Sequence, residues 1–208
     1  MKTLIAIPCM DMVHTPFMRS VLGMRAVGQC EYTFTQSSLI YDARNIMAEK
    51  AVNEGFDRVL WLDSDMVFDN DLMERLSARL DEGYEFVTGL YFTRRDPVRP
   101  VLFKSTHVDL LEDGTRSPKA DYYYDFPRDT IFEIAAVGFG AVMMTVDLIR
   151  EVGKMGLPFS PMMGFGEDLT FCWKVTGIGK KMWCDSSIKL GHIGYKQIDE
   201  SLYGGVPA

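Results

Sequence analysis

The stretch "RVLWLDSDMVF" (residues 58–68) is an apolar run that breaks into two aspartates with one serine between them. "RVLWL" is continuous rather than alternating, which is the pattern of a central parallel strand covered on both faces. Asp63 and Asp65 then fall at its carboxyl end, where open α/β sheets bind their ligands. Two carboxylates so close repel each other, and one proton tends to stay bound unless a cation joins them. Hard carboxylate oxygens suit Mg2+ or Mn2+, which share their coordination shell with phosphate oxygens. A bare D-x-D also arises as a turn that caps the next helix, so the tripeptide alone decides nothing.

On both sides of this segment the chain alternates between strand and helix patterns. "TLIAIPC" (residues 3–9) is an apolar run closed by Pro8 and reads as a buried first strand. Thr15 is expected to cap a helix with Pro16 at its first position, with Phe17, Val21 and Met24 on its inner face and Gly28 as its stop. "CEYTFTQSS" alternates as a second strand. "YDARNIMAEKAVNEG" is a second helix with Ile46, Met47 and Val52 on one face and Gly55 as its end. After the aspartates, Asp69 or Asn70 should cap a helix through "LMERLSARLDEG", and "YEFVTGLYF" supplies another strand. This β-α-β-α-β-α-β order predicts an α/β fold with right-handed crossovers and a mostly parallel sheet.

Residues 94–129 differ, because prolines and "EDGTRS" punctuate short strands and predict a small β-hairpin excursion. Beyond it, "FEIAAVGFGAVMMTVDLIREVG" passes from strand into helix and "GEDLTFCWKVTG" opens another helix. "KKMWCDSSIKLGHIGYK" begins as a strand and ends in the glycine-flanked His192, and the tail reads as a flap.

With 208 residues, 47% of them hydrophobic, the chain can bury one substantial core and is read as one domain over 1–208. The 29 acidic residues outnumber the 22 basic ones, for a net charge of −7, and no Lys/Arg run appears, so nucleic acid is not an expected partner. The N-terminal apolar run is too short for a secretory signal and no segment reaches the ~20 apolar residues of a membrane span. The expectation is a cytoplasmic protein. Cys9, Cys30, Cys172 and Cys184 lack metal-site or scaffold spacing and read as reduced thiols.

Four segments together resemble the GT-A class of nucleotide-sugar-dependent glycosyltransferases, in particular its family 2-like members. "IAIPCMDMVHTPFMRSVLGM" is similar to their opening strand and helix, and "LWLDSDMVF" to their D-x-D segment. "VGFGAVMMTVDLIREVG" is similar to their acceptor-side strand and helix, and "GEDLTFCWKVTGIGKKMWCDSSIKLGHIG" to their E-D helix, following strand and metal-binding histidine. The resemblance implies a GT-A, Rossmann-like sheet with a nucleotide-binding half over 1–93 and an acceptor half with a C-terminal flap over 94–208. It also implies a nucleotide-sugar donor, UDP- or GDP-linked, a hydroxyl-bearing acceptor, and Mn2+ or Mg2+ as cofactor. On the matching positions, Asp65 and His192 become metal ligands, with Asp63 at the metal or at the donor ribose. Asp168 becomes the base that deprotonates the acceptor hydroxyl in inverting members, and Glu167 orients the acceptor or its loop.

Pro8, Cys9, Met10 and Asp11 should border the nucleotide, because the first crevice of such a sheet opens there. Ser64 lies on the same donor side. Arg44, at the start of the second helix beside Asn45, is expected to meet base, ribose or phosphate. Lys196 would reach the β-phosphate from the flap, and "DYYYDF" (residues 121–126) offers aromatic rings to a sugar. The Q-x-x-R-W motif of processive synthases is absent, which favours single transfers, and the stereochemical outcome and a homo-oligomeric state stay open. Two other classes compete. A haloacid-dehalogenase-like phosphatase would use Asp63 as nucleophile and Asp65 as acid/base, but two βα units precede the aspartates. A non-catalytic nucleotide-sugar-binding domain would keep the same fold without the transfer step.

Overall fold

The computed structural model describes residues 1–194, 197–200 and 203. The strand–helix alternation read from the sequence is present as β1 (Lys2–Cys9), α1 (Thr15–Gly23), β2 (Gln29–Gln36), α2 (Ile40–Asn53), β3 (Arg58–Leu62), the two-residue β4 (Met66–Val67), α3 (Leu72–Asp81) and β5 (Phe86–Leu90). Then come β6 (Leu102–Leu110), β7 (Arg116–Tyr122), β8 (Ile131–Ile134), β9 (Ala136–Val137) and β10 (Ala141–Thr145). The chain continues through α4 (Val146–Gly153), α5 (Glu167–Gly177), β11 (Met182–Lys189), β12 (Gly191–Ile193) and β13 (Gln197–Ile198).

Seven strands form the central sheet in the order β2-β1-β3-β10-β5-β11-β8. β1 is parallel to both β2 and β3, and β5 to β11, whereas β10 runs antiparallel to its neighbours β3 and β5, and β8 antiparallel to β11. β10 therefore welds the two parallel groups into one sheet, and the two sequence halves interleave. Central position explains composition: Val59, Leu60, Trp61 and Leu62 of β3 and Ala141 to Met144 of β10 are wholly buried, covered by helices on both sides. α2, α4 and α5 pack in a row on one side, and α3 lies against β5 and β10, where the Ser77 hydroxyl meets the Met143 sulfur at 3.6 Å. The expected hairpin excursion is the three-stranded sheet β7-β6-β9, and a second small sheet, β13-β12-β4, lies beyond the D-x-D segment.

Local details depart from the sequence expectations. The N-cap of α1 is His14, Pro16 sits one residue into the helix, and the helix ends at Gly23 rather than at Gly28. α3 is capped at Asp71, not Asp69 or Asn70. α2 buries Ala43, Arg44, Met47, Ala48 and Ala51 and leaves Ile46 56% exposed, because its small alanines are what let the helix approach the sheet. α4 is capped by Thr145, whose hydroxyl accepts from the Leu148 N–H at 3.3 Å, and Val146, Leu148, Ile149 and Val152 turn inward.

Candidate functional site

β3 ends and the chain turns immediately: the Asp63 N–H donates to the Gly140 carbonyl at 2.9 Å and the Met66 N–H to the Asp63 carbonyl at 3.2 Å. This hands the chain to β4, which pairs antiparallel with β12 so that His192 lies opposite Met66. The Ile193 N–H donates to the Asp65 carbonyl at 2.7 Å. A short ladder thus brings two residues remote in sequence together, with His192 Nε2 3.4 Å from Asp65 Oδ2. The other ring nitrogen, Nδ1, is 2.8 Å from the Phe92 carbonyl and donates to it. That hydrogen bond fixes the tautomer and leaves Nε2 facing Asp65.

Charge around this pair is arranged in two layers. Arg44 is buried, its side chain 2% exposed, and its guanidinium spans two carboxylates, Asp63 Oδ1 at 2.8 Å and Glu167 Oε1 at 2.7 Å. Its face lies 5.1 Å from the centre of the Phe139 ring. The outer layer is Arg94, whose guanidinium pairs with the Asp65 carboxylate. Burial alone would raise the Asp65 pKa, but the His192 contact and the Arg94 charge outweigh it and hold the group below the usual carboxylate range. Burial also opposes the charged form of His192, yet Asp65 and the Phe92 carbonyl prevail and lift it. Asp63 and Asp168 are both pushed up by burial, and the Arg44 charge pulls each partly back.

Two adjoining cavities open on this centre. One, of about 500 Å³, is lined by Pro8, Cys9, Met10, Ser37, Ser38 and Ser64 together with Asp63, Asp65, Arg94 and His192. The other, of about 580 Å³, is lined by Asp168, Tyr91, Tyr122, Gly138 and the loop after β5, again with Asp63, Arg94 and His192. Gly138 is required there: a Cβ on it would sit 2.5 Å from the Tyr91 hydroxyl and 3.6 Å from Asp168 Oδ2. The Tyr91 hydroxyl in turn accepts from the Gly140 N–H at 3.1 Å.

Most sequence-predicted residues gather at these two cavities. Asp11 does not line either of them and its carboxylate accepts from the Gln36 side chain instead. Arg44 lies beneath the cavities as the tie between β3 and α5, and Asn45 beside it exchanges hydrogen bonds with the Phe159 backbone at 2.6 and 3.0 Å. The pair "RN" thus anchors α2 to two later segments. Glu167 opens α5 behind the wall that Asp168 lines, and Lys196 lies outside the described residues. Tyr122 of the aromatic run lines the larger cavity, while Tyr123 packs edge-on against Phe132. Arg94, Tyr91, Arg95 and Arg99 were not singled out from the sequence. The available signal was three arginines in "TRRDPVR" directly after a parallel strand, at the ligand-binding edge of the sheet.

The Asp65–His192 pair has the donor chemistry of a seat for a divalent cation. Its donors are one carboxylate and one imidazole nitrogen with the tautomer already set, and the Arg94 guanidinium now paired with the same carboxylate would have to give way to a cation seated there. Among the described residues no third acidic or imidazole side chain completes a cluster, and Asp63 is engaged by Arg44. Two side-chain donors fit only a cation that takes most of its ligands from outside the protein, as Mg2+ commonly does.

A mostly parallel sheet, an antiparallel strand wedged into it and a D-x-D turn at its ligand edge define an α/β protein of GT-A fold. The same fold is found in the crystal structure of A197 from STIV, at 19% identity and a TM-score of 0.68 over 93% of this chain and 86% of that one. It is found also in the crystal structure of GalNAc-T7 with UDP, GalNAc and Mn2+, at 13% identity and a TM-score of 0.62; the match covers 93% of this chain but 44% of that one. No protein-family model matches the sequence, and no curated protein sequence is similar to it. Among the described residues no helix is long and apolar enough to cross a membrane.

Proposed function

We propose that this protein is a metal-dependent, non-processive glycosyltransferase that moves a sugar from a UDP- or GDP-linked donor to a hydroxyl acceptor. The observation that carries this reading is the meeting of two cavities across Asp63, Arg94 and His192, one ending in a candidate cation seat and the other in the half-buried carboxylate of Asp168. In this reading Pro8, Cys9, Met10 and Ser64 border the nucleotide, and Asp65 and His192 hold Mn2+ or Mg2+ at the diphosphate. The cation would neutralise the charge that develops on the departing diphosphate. GalNAc-T7, whose crystal holds UDP, GalNAc and Mn2+, supports this donor class.

Asp168 takes the proton of the acceptor hydroxyl. Its position on the cavity wall gives it access, and burial raises its carboxyl toward the range in which a general base works near neutral pH. Gly138, having no side chain, lets the Tyr91 hydroxyl and Val101 close in on the wall beside it. Arg44 does not touch the donor; it fixes the spacing between Asp63 and Glu167 and supplies the positive charge that lets three half-buried carboxylates share one corner. The phosphatase reading loses support for the same reason, since Asp63, its nucleophile, has a carboxylate oxygen engaged by Arg44.

The test is a thermal-shift panel of UDP, GDP and their sugars with and without Mn2+. A nucleotide at 100 times its Kd stabilises the native state by about 2.7 kcal/mol, roughly 6 °C for a chain of this length. That rise should require both nucleotide and metal and vanish in Asp65→Ala, whereas Asp168→Asn should keep it and lose transfer. Equal rises in wild type and Asp65→Ala would end the metal assignment.

A further inference from the structure

The loop between β5 and β6 carries "TRRDPVR" (residues 93–99) and sets Arg94, Arg95 and Arg99 on the wall of the 580 Å³ cavity. In a chain of net charge −7, such a concentration of guanidinium groups is a local feature rather than a general one. Arg94 pairs with Asp65. Among the described residues, Arg95 and Arg99 make no side-chain ion pair; of the three carboxylates on the same wall, Asp63 is engaged by Arg44, Asp168 is the group an acceptor hydroxyl would face, and Asp96 lies on the loop itself. The Arg99 guanidinium is held over the Tyr122 ring, 5.2 Å from its centre, and its Nε is buried without a hydrogen-bond partner. Its backbone is equally fixed: the Arg99 N–H donates to the Thr93 hydroxyl at 3.0 Å, and the Thr93 N–H to the Arg99 carbonyl at 2.8 Å.

A buried donor without an acceptor is uncommon in folded proteins and calls for an explanation, of which an acceptor atom supplied from outside is one. Arginine adds geometry to charge, since its planar fork matches a carboxylate or a phosphate in a way a lysine does not. Which ligand supplies that oxyanion follows from the walls. Arg95 and Arg99 line only the cavity that contains Asp168, and not the one bordered by Pro8, Cys9 and Met10, so a donor diphosphate seated at Asp65 lies on the other side of the divide. We infer that the acceptor is anionic, carrying a phosphate or carboxylate that Arg95 and Arg99 grip while its hydroxyl faces Asp168. The inference rests on the transfer reading for the word acceptor, but the anion site stands on the loop itself.

The experiment is calorimetric titration of the full chain, in EDTA and without donor, with three probes: p-nitrophenyl β-glucoside, its 6-phosphate and p-nitrophenyl β-glucuronide. The two charged probes should bind at least tenfold more tightly than the neutral one, and whichever of them binds best identifies the anion as phosphate or carboxylate. Arg95→Gln and Arg99→Gln should each weaken the charged probe by about tenfold or more. Arg95 is exposed, so its variant tests the site without touching the core, and Lys181→Gln, in a different cavity, should change nothing. Equal affinity for neutral and charged probes overturns the proposal, as does charged-probe binding that survives both arginine variants. Competition by UDP with Mn2+, shared with a loss in Asp65→Ala, would place the anion at the donor and overturn it too. Failure of UDP and Mn2+ to bind at all would instead strike the transfer reading, and is scored in a separate titration.

Discussion

Replacing Arg44 by methionine removes one cation and leaves its volume nearly filled. In the native protein that guanidinium is 2% exposed and bridges Asp63 and Glu167, with the Asp168 charge close enough to act on it. Deleting one partner of a buried ion pair costs about 3–5 kcal/mol, because the remaining charges stay desolvated without compensation. Unfolding entropy of about 2.1 cal/mol/K per residue over 208 residues gives about 0.44 kcal/mol/K. The melting temperature of Arg44→Met should therefore fall by about 7–11 °C. Circular-dichroism melts at pH 7 in low salt and in 0.5 M NaCl measure it, and the deficit should persist in salt, since buried pairs are poorly screened. Arg44→Lys restores the charge, but one ammonium cannot span both carboxylates, so it should recover only part of the loss. In Arg44→Met/Glu167→Gln the two costs should be strongly non-additive. A melting temperature for Arg44→Met within about 2 °C of wild type, on the same scale, would refute the reasoning.

Asp185 is buried and accepts from Arg79 Nε at 2.9 Å and from the Ser187 hydroxyl and N–H. Burial would raise its pKa, but those donors outweigh it and the folded group titrates below its ordinary value. Its contribution is therefore complete above the unfolded pKa of about 3.9 and is lost as pH falls through the lower folded value. Asp185→Asn should cost about 1–3 kcal/mol at pH 7, with the gap from wild type closing as chemical denaturation is repeated at progressively lower pH. Gly138→Ala forces a Cβ to 2.5 Å from the Tyr91 hydroxyl and 2.9 Å from Val101, so it should cost about 1–3 kcal/mol and reduce transfer more than nucleotide binding in paired melts and assays. Among the free cysteines, burial pushes Cys172 up to about 12 and Cys184 well above its ordinary range. Mass spectrometry after brief iodoacetamide treatment should find label on the half-buried Cys9 and Cys30 and not on these two, until denaturant is added.

The elements that the sequence made legible are those whose signal is local. Periodicity and breakers locate the strands and helices up to β5, and the abrupt end of "RVLWL" by itself puts Asp63 and Asp65 at the ligand edge. The direction of β10 is not readable in this way: "AVMMT" reads as a buried strand whichever way it runs, and only its pairing with β3 and β5 sets it antiparallel. Helix α2 shows the opposite error. Hydrophobicity favours Ile46 as the inward residue, yet the helix turns Arg44 inward, because two carboxylates from distant segments make a buried guanidinium tolerable. No window of sequence around position 44 contains Glu167. The pairing of His192 with Asp65 is likewise a product of the β4–β12 ladder, although the glycines flanking His192 mark it for attention.

The wedged position of β10 has an outcome for the newborn chain. β1, β2 and β3 can zip together as soon as they leave the ribosome, since each parallel partner is already synthesised. β5 must wait about fifty residues for the strand that joins it to them, and until then both β3 and β5 offer bare, apolar margins. Fragments truncated between β5 and β10 should accordingly be aggregation-prone, and a chaperone that shields strand margins has its natural window during translation of residues 91–140.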